Sequence, residues 1–132
     1  MKFHILTNLV EKPWGGANQF LKSLRRFFKG NSCYTENPYL ADYVLFNSYP
    51  FGEELKTVKE LCRIRKQNPN AIFLHRVDGP ISRVRGIPND QCLDQVIVNL
   101  NDHFADGTVF QSNWSRERCF EFGFNQAKPF ET

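Results

Sequence analysis

The sequence predicts an α/β fold with a mainly parallel sheet and helices on both faces. Short apolar runs alternate along the chain with segments of helical periodicity, and the runs at residues 43–46 and 71–74 are apolar throughout. Strands covered on both faces have this continuous apolar character, and strands that alternate with helices form βαβ units. We therefore expect a Rossmann-like three-layer sandwich, in one domain over residues 1–132.

The first unit begins with a strand over Phe3 to Thr7, which we expect to be central in the sheet. A glycine pair, Gly15-Gly16, leads into an amphipathic helix that Gly30 ends. Its apolar face is predicted to comprise Ala17, Phe20, Leu21, Leu24, Phe27 and Phe28. Its opposite face carries a basic stripe of Lys22, Arg25, Arg26 and Lys29. A solvated surface is the first interpretation of this stripe, and peripheral contact with a membrane is the alternative.

The same alternation continues along the chain. Further strands are predicted at residues 43–46, 71–74 and 108–111, and further helices at about 53–66, 90–104 and 114–122. The inner stripe of the helix over 53–66 is predicted to comprise Leu55, Val58, Leu61, Cys62 and Arg65. Each strand is thus followed by a helix, as a parallel sheet requires.

Composition and charge exclude several classes of function. The formal net charge of +3 is too small to predict a nucleic-acid partner. The N-terminus lacks the apolar region of a signal peptide, so a cytoplasmic protein is expected. The four cysteines form no CxxC pair and no histidine stands at zinc-finger spacing, so no metal site is predicted. We interpret them as reduced thiols, with Cys62 and Cys92 buried as small hydrophobes.

Polar segments follow the predicted strands. Ligands bind at the carboxyl ends of the strands in open parallel sheets. The segments at these ends are Lys12 to Gly16, Asn47 to Tyr49, His75 to Asp78 and Gln111 to Asn113. We expect Gly15, Gly16, His75 and Asp78 to converge on one cleft at this edge, although they are far apart in the sequence.

The glycine pair has two interpretations. Gly15 and Gly16 could let the backbone approach a ligand phosphate, with the amide groups that open the next helix directed at it. Alternatively, the turn needs glycine only for a positive φ angle. The chain contains neither GxGxxG nor a Walker A motif, so the fingerprints for dinucleotides and nucleoside triphosphates are missing.

His75 and Asp78 are the candidates for chemistry, because both stand at the end of a buried strand. The His75 imidazole could hydrogen-bond a sugar hydroxyl or a developing charge, or it could satisfy a buried carbonyl group. Asp78 could orient an acceptor hydroxyl or Arg76, or it could form an Asp-Gly-Pro turn. Arg76, Arg83 and Arg85 are candidates for binding a phosphate or an acidic acceptor.

Four segments together resemble one family of enzymes. They are Gly15-Gly16-Ala17-Asn18-Gln19-Phe20, Ala41-Asp42-Tyr43-Val44-Leu45-Phe46-Asn47-Ser48, Phe73-Leu74-His75-Arg76-Val77-Asp78-Gly79-Pro80 and Ala105-Asp106-Gly107-Thr108-Val109-Phe110-Gln111-Ser112-Asn113-Trp114. In this order they resemble the first domain of retaining glycosyltransferases of the glycogen-synthase-like superfamily. The resemblance spans nearly the whole chain, and each motif alone is moderately specific.

The resemblance implies one half of a GT-B fold, in which two Rossmann-like domains face each other and the first binds the acceptor. It matches Gly15 and Gly16 with the loop near the donor phosphates, and His75 with a histidine that lines the reaction centre. The substrate-binding residues expected on this domain are Trp14, Gly15, Gly16, Asn47, Arg76 and Ser112, and the catalytic ones are His75 and Asp78. No separate cofactor is implied, because the nucleotide sugar is the donor substrate.

The expected activity is transfer of a hexosyl unit from a nucleotide sugar to a hydroxyl acceptor with retention. The donor-binding C-terminal domain is expected to be absent, so we expect the chain alone to be inactive. The expected partners of the whole enzyme are the nucleotide-sugar donor and a glycan or lipid-linked acceptor. Electrostatic stabilisation of the departing diphosphate would supply most of the chemistry. The alternative is a stand-alone Rossmann-like module that binds a nucleotide or a carbohydrate without catalysis.

Overall fold

An all-parallel sheet forms the centre of the molecule. The computed structural model describes residues 1–7, 9, 11, 15–47 and 54–132. Within these ranges the strands are β1 (Phe3–Leu6), β2 (Tyr43–Asn47), β3 (Ile72–Val77), β4 (Gly107–Phe110) and β5 (Phe130–Glu131). They follow one another in chain order across the sheet, and every neighbouring pair is parallel. The predicted α/β class and parallel sheet are confirmed.

Five α-helices occur in the described ranges. They are α1 (Gly16–Gly30), α2 (Glu54–Gln67), α3 (Ile81–Arg85), α4 (Gln91–Phe104) and α5 (Asn113–Glu121). The four longer helices closely match their predicted bounds. The sequence indicated a loop where α3 occurs, because five residues are too few to show helical periodicity. None of the helices described is long and apolar enough to cross a membrane.

The position of β1 differs from the expectation. The prediction that Phe3 to Thr7 is the central strand is wrong, because β1 stands at the end of the strand order. On its outer side the described residues add only an isolated bridge between Phe3 and Tyr34. Each later strand pairs with the side of the preceding strand that faces away from β1. The central strand of the sheet is therefore β3. Phe73 and Val77 of that strand are fully buried.

Helices cover both faces of the sheet, because neighbouring residues in a strand point to opposite sides. Leu45 packs with Ile5 and with Leu21 of α1 on one face. Val44 and Phe46 point to the other face, which α2 and α4 cover. The residues that these helices and β3 add to that second cluster include Leu61, Ile64, Phe73 and Leu100. The helix, sheet and helix layers of the predicted sandwich follow from this alternation.

The buried face of α1 is rotated from the predicted one. Phe20 and Phe27 are 49% and 63% exposed, whereas Lys22 is buried. Lys22 can be buried because its Nζ donates a hydrogen bond to the carbonyl oxygen of Glu11 at 3.0 Å. Its ammonium also lies 3.8 Å from the Glu11 carboxylate. The basic residues of α1 therefore do not form one solvated stripe.

Two further expectations about burial are wrong. In α2 Leu61 is fully buried as predicted, but Ile64 is fully buried too and Leu55 is 68% exposed, because the side of the helix that faces the sheet runs through Leu61 and Ile64. Cys62 and Cys92 are exposed, since they lie beside the rows that pack. Cys119 is the buried thiol.

Candidate functional site

The carboxyl ends of β2, β3 and β4 meet at one edge of the sheet, because these strands are parallel. Asn47 is the last residue of β2 and pairs in register with Arg76 of β3. Asp78 directly follows β3, and Ser112 follows β4 just before α5. Four of the predicted site residues thus lie along this edge.

Arg76 is held from three sides. Its side chain is only 9% exposed, and its Nη2 lies 2.7 Å from Oδ1 of Asp78. Its Nη1 donates a hydrogen bond to Oδ1 of Asn47 at 3.0 Å. The guanidinium carbon lies 4.9 Å from the ring centroid of Phe20, a cation–π contact with α1. A guanidinium buried this far needs such partners, and we call Asn47, Arg76 and Asp78 the Arg76 cluster.

Asp78 is the more accessible charge of the cluster. Its side chain is 28% exposed. Its backbone carbonyl oxygen accepts a hydrogen bond from the hydroxyl of Ser115 at 2.7 Å. Ser112 is the N-cap of α5, and its hydroxyl accepts a hydrogen bond from the Ser115 backbone N–H at 3.1 Å. Ser112 therefore supports the position of Asp78 through Ser115.

Gly15 and Gly16 begin α1 at the exposed surface. Gly15 precedes the helix with φ of 50°, and Gly16 is the first helical residue. Phe20, which contacts Arg76, lies one helical turn further on, about 6 Å along the helix axis from Gly16. The glycine pair thus opens the helix whose Phe20 contacts the Arg76 cluster. Trp14, the other residue predicted for this loop, lies outside the described residues.

His75 lies on the opposite face of the sheet from Arg76, because the two are neighbours in one strand. Its ring is fully buried and stacks on Phe46 with the centroids 4.4 Å apart. The amide Nδ2 of Asn101, on α4, donates to His75 Nδ1 at 3.1 Å and to Thr108 Oγ1 at 2.8 Å. His75 is therefore part of a buried polar network beneath α4.

The expectation that His75 shares a cleft with Gly15 and Gly16 is wrong. The glycine pair opens α1, which packs on the face that carries Leu45, whereas His75 lies on the face that carries Phe46. A fully buried imidazole cannot touch a ligand in this conformation. The structure brings Asp78 and Arg76 together at the edge and separates His75 from them.

A buried carboxylate anchors the chain after β3. Asp94 of α4 is 2% exposed and accepts hydrogen bonds from the backbone N–H groups of Ile81 and Ser82. It also accepts one from the Ser82 hydroxyl. These donors open α3, where N–H groups have no partner within the helix. Asp94 thereby fixes the turn that follows Asp78.

Three of the supporting residues, Ser112, Ser115 and Asp94, had a signal in the sequence. Serines at positions 112 and 115, at the start of a helix, are typical of an N-terminal cap. Asp94 follows Leu93 in the apolar stripe of its helix, where a polar residue indicates a buried partner. Phe20 had no such signal, because its contact with Arg76 joins residues far apart in the chain.

The Arg76 cluster can bind polar ligands. A carboxylate accepts hydrogen bonds from hydroxyl groups, a guanidinium donates them, and an amide does both. The partners of Arg76 fix these groups before a ligand arrives, which lowers the entropy cost of binding. Within the described ranges no three histidine, cysteine, aspartate or glutamate residues are grouped to hold a metal ion.

No family model, curated protein or solved structure matches this chain. The kinds of ligand that the carboxyl edge of the sheet can bind are therefore inferred from the contacts of the Arg76 cluster.

Proposed function

We propose that the chain is the acceptor-side domain of a retaining glycosyltransferase with the GT-B fold. The observation that supports this most is the Arg76 cluster at the carboxyl edge of an all-parallel sheet, beside the helix that Gly15 and Gly16 open. Three of the segments that resemble the family contain the carboxyl ends of β2, β3 and β4, which meet at this edge, and ligands of such sheets bind there.

In this proposal Asp78 accepts a hydrogen bond from the acceptor hydroxyl. Arg76 holds the Asp78 carboxylate in place through the 2.7 Å ion pair, and Asn47 holds Arg76. The partial exposure of Asp78 allows a ligand to reach it. Fixed groups of this kind orient an acceptor, and orientation is a large part of the catalysis of group transfer.

Gly15 and Gly16 contact the donor diphosphate in this proposal. Among the described residues no atom lies within 4 Å of a Cβ atom added at either glycine, so none of them blocks the approach of a ligand to the backbone there. Each hydrogen bond is worth about 1 kcal/mol net. Association costs about 4 kcal/mol or more. We therefore expect weak binding of nucleotide sugars and no turnover by this chain alone.

Free thiols fit the same proposal. All four cysteines are free, as in a protein of a reducing compartment such as the cytoplasm. Nucleotide-sugar donor and glycan or lipid-linked acceptor are the proposed partners.

Amide NMR titration tests the role of the glycines. Uridine and guanosine diphosphate sugars, added to millimolar concentration, should shift the Gly15 and Gly16 signals with a millimolar dissociation constant. Gly16→Ala should weaken these shifts, because its methyl group occupies the open space. Gly30→Ala is the matched control, since Gly30 also lies in α1 and no described atom is within 4 Å of an added Cβ. Absence of any shift at the glycines would contradict their role.

Calorimetry and a transfer assay decide between the proposal and its alternative. Micromolar binding of a nucleotide sugar, or measurable turnover by the purified chain, would favour a self-sufficient binding module or enzyme. Millimolar binding with no turnover agrees with the half-enzyme. A second, donor-binding domain encoded in frame with this chain would support the half-enzyme independently.

A further inference from the structure

Trp114 presents a half-exposed indole ring at the same edge of the sheet. It is the second residue of α5 and 45% exposed. The next residue, Ser115, is buried and donates its hydroxyl to the Asp78 carbonyl oxygen at 2.7 Å. The backbone that carries the indole is therefore fixed directly beside Asp78.

The turn after β3 is shaped to accept this ring. Gly79 is buried and has φ of 129°, a conformation that residues with a side chain rarely adopt. A Cβ added at Gly79 would lie 3.3 Å from Cζ3 of Trp114 and 3.5 Å from Cγ2 of Val84. Glycine thus lets the indole lie against the backbone, and the ring is held on one side while much of its surface stays in solvent.

The strand end that precedes this turn carries a charged pair. Gly79 follows Asp78 directly, and the Asp78 carboxylate is paired with Arg76. The exposed indole and this charged pair, both at the carboxyl edge of the sheet, offer two kinds of contact. The ring face, which carries partial negative charge, attracts C–H groups, and the charged pair binds hydroxyls.

We infer that Trp114 and Asp78 form a subsite for one pyranose ring of a carbohydrate. One face of a pyranose carries C–H groups that stack on the indole, and its rim carries hydroxyls that reach the Asp78 carboxylate. The subsite deepens the proposed function, since it would hold the acceptor glycan, but saccharide binding here requires no donor. An anionic membrane surface fits less well, because Asp78 would repel its headgroups.

Fluorine NMR of protein labelled with fluorotryptophan tests the subsite. The chain has two tryptophans, and Trp114→Phe assigns the signal of Trp114. The probes are methyl pyranosides of glucose, galactose, mannose and N-acetylglucosamine at millimolar concentration. At least one should shift the Trp114 signal with saturation, and anionic phospholipid vesicles should not.

Substitutions separate the two parts of the subsite. Trp114→Ala should weaken saccharide binding by at least about tenfold, as is usual for a central aromatic contact. Asp78→Asn should weaken it while leaving the indole in place, so it reports on hydroxyl binding even if Trp114→Ala unfolds. Phe27→Ala is the control, because Phe27 is an aromatic residue of α1 that is 63% exposed. Calorimetry or amide NMR measures the affinity of the tryptophan-free site.

The inference fails if no pyranoside shifts the Trp114 signal, or if Trp114→Ala and Asp78→Asn fold and bind the saccharide as the parent does. A vesicle-induced shift without a saccharide shift would overturn it in favour of a membrane contact. These outcomes are independent of the glycine titration with nucleotide sugars. Failure of the subsite is therefore distinguishable from failure of the proposed function.

Discussion

At the scale of single residues, two adjacent glycines occupy very different backbone conformations. Gly15 has φ of 50° and ψ of 154°, which residues with side chains rarely adopt. Gly16 lies in the helix, and an added Cβ would meet no atom of the described part of the chain within 4 Å. The fold explains a glycine at position 15 and does not require one at position 16. Open space above Gly16 is what the close approach of a ligand would need.

The two alanine variants should change stability in opposite directions. Gly15→Ala should lower the free energy of unfolding by about 1 to 3 kcal/mol, because alanine is strained in that conformation. Gly16→Ala should raise it by about 0.4 to 1 kcal/mol, because alanine restricts the unfolded chain and suits a helix. Urea unfolding followed by circular dichroism measures both changes. Equal losses in the two variants would contradict the difference between the two sites.

The four thiols should react according to burial. Cys62 and Cys92 are exposed, so a disulfide reagent at mildly alkaline pH should modify both quickly. Burial and the nearby charge of Asp94 raise the pKa of Cys119 to about 12, so this thiol should react only after unfolding. Mass spectrometry of the modified peptides shows the order in which the cysteines react. Rapid modification of Cys119 in the native protein would contradict its packing.

Residue types at the site could be predicted, but their orientations could not. His75 and Arg76 stand together in the sequence, and both were candidates because they end a buried strand. Only Arg76 lies near α1, because alternate residues of a strand face opposite sides and the pairing register decides which side each takes. Nothing in a run of apolar residues indicates that register.

At the scale of elements, α3 depends on a side chain from another helix. The Asp94 carboxylate, almost fully buried, accepts hydrogen bonds from Ile81 and Ser82 at the start of α3. A helix of five residues has too few internal hydrogen bonds to be stable alone. Its position behind the Asp78 turn therefore depends on α4.

Asp94→Ala should destabilise the protein by about 2 to 3 kcal/mol, because it leaves buried N–H groups without an acceptor. Asp102→Ala is the matched control, since Asp102 is an exposed residue of the same helix. Urea unfolding of both variants tests the expectation. A loss in Asp94→Ala no larger than that in the control would show that Asp94 does not hold α3.

Long helices could be predicted closely, but the face that each one buries could not. In α1 the apolar pattern placed Phe20 and Phe27 inside, and both are largely exposed. Lys22 is buried instead, because Glu11, from the preceding loop, supplies a carbonyl oxygen for its ammonium. Periodicity reports that a helix is amphipathic, whereas distant residues set its exact rotation.

At the scale of the whole molecule, stability should depend on pH through His4 of β1. Its Nδ1 lies 3.0 Å from the carbonyl oxygen of Thr35. Burial lowers the pKa of His4 below 6.5, partly opposed by this hydrogen bond and by the charge of Glu36. Below pH 6.5 the unfolded chain then binds more protons than the native one. The contribution of His4 is fully present above that pH and is lost as the pH falls towards its native pKa.

Urea unfolding between about pH 7.5 and pH 5 should show this loss. His4→Asn should reduce it, because an amide can donate to Thr35 without titrating. His103→Asn is the control, and it should leave the loss of stability unchanged because His103 is exposed. The hydrogen bond from Lys29 lowers the pKa of Glu36 below 4.5, so the contribution of Glu36 is lost only at lower pH. An unchanged pH profile in His4→Asn would refute the assignment.

Fold class could be predicted from local patterns, whereas strand order could not. The apolar runs at residues 43–46 and 71–74 indicated buried parallel strands, and both occur in the sheet. The place of β1 depends on what pairs with its outer side, and there the described chain contributes only the bridge at Tyr34. One bridge leaves no recognisable strand pattern in the sequence.

The order of the strands also bears on how the protein is made. Each strand from β2 to β5 pairs with the strand that precedes it in the chain. A ribosome releases the N-terminal segments first, so every new strand emerges when its partner is already outside. The sheet can therefore be assembled in the direction of translation, without any strand having to insert later between two that have already paired.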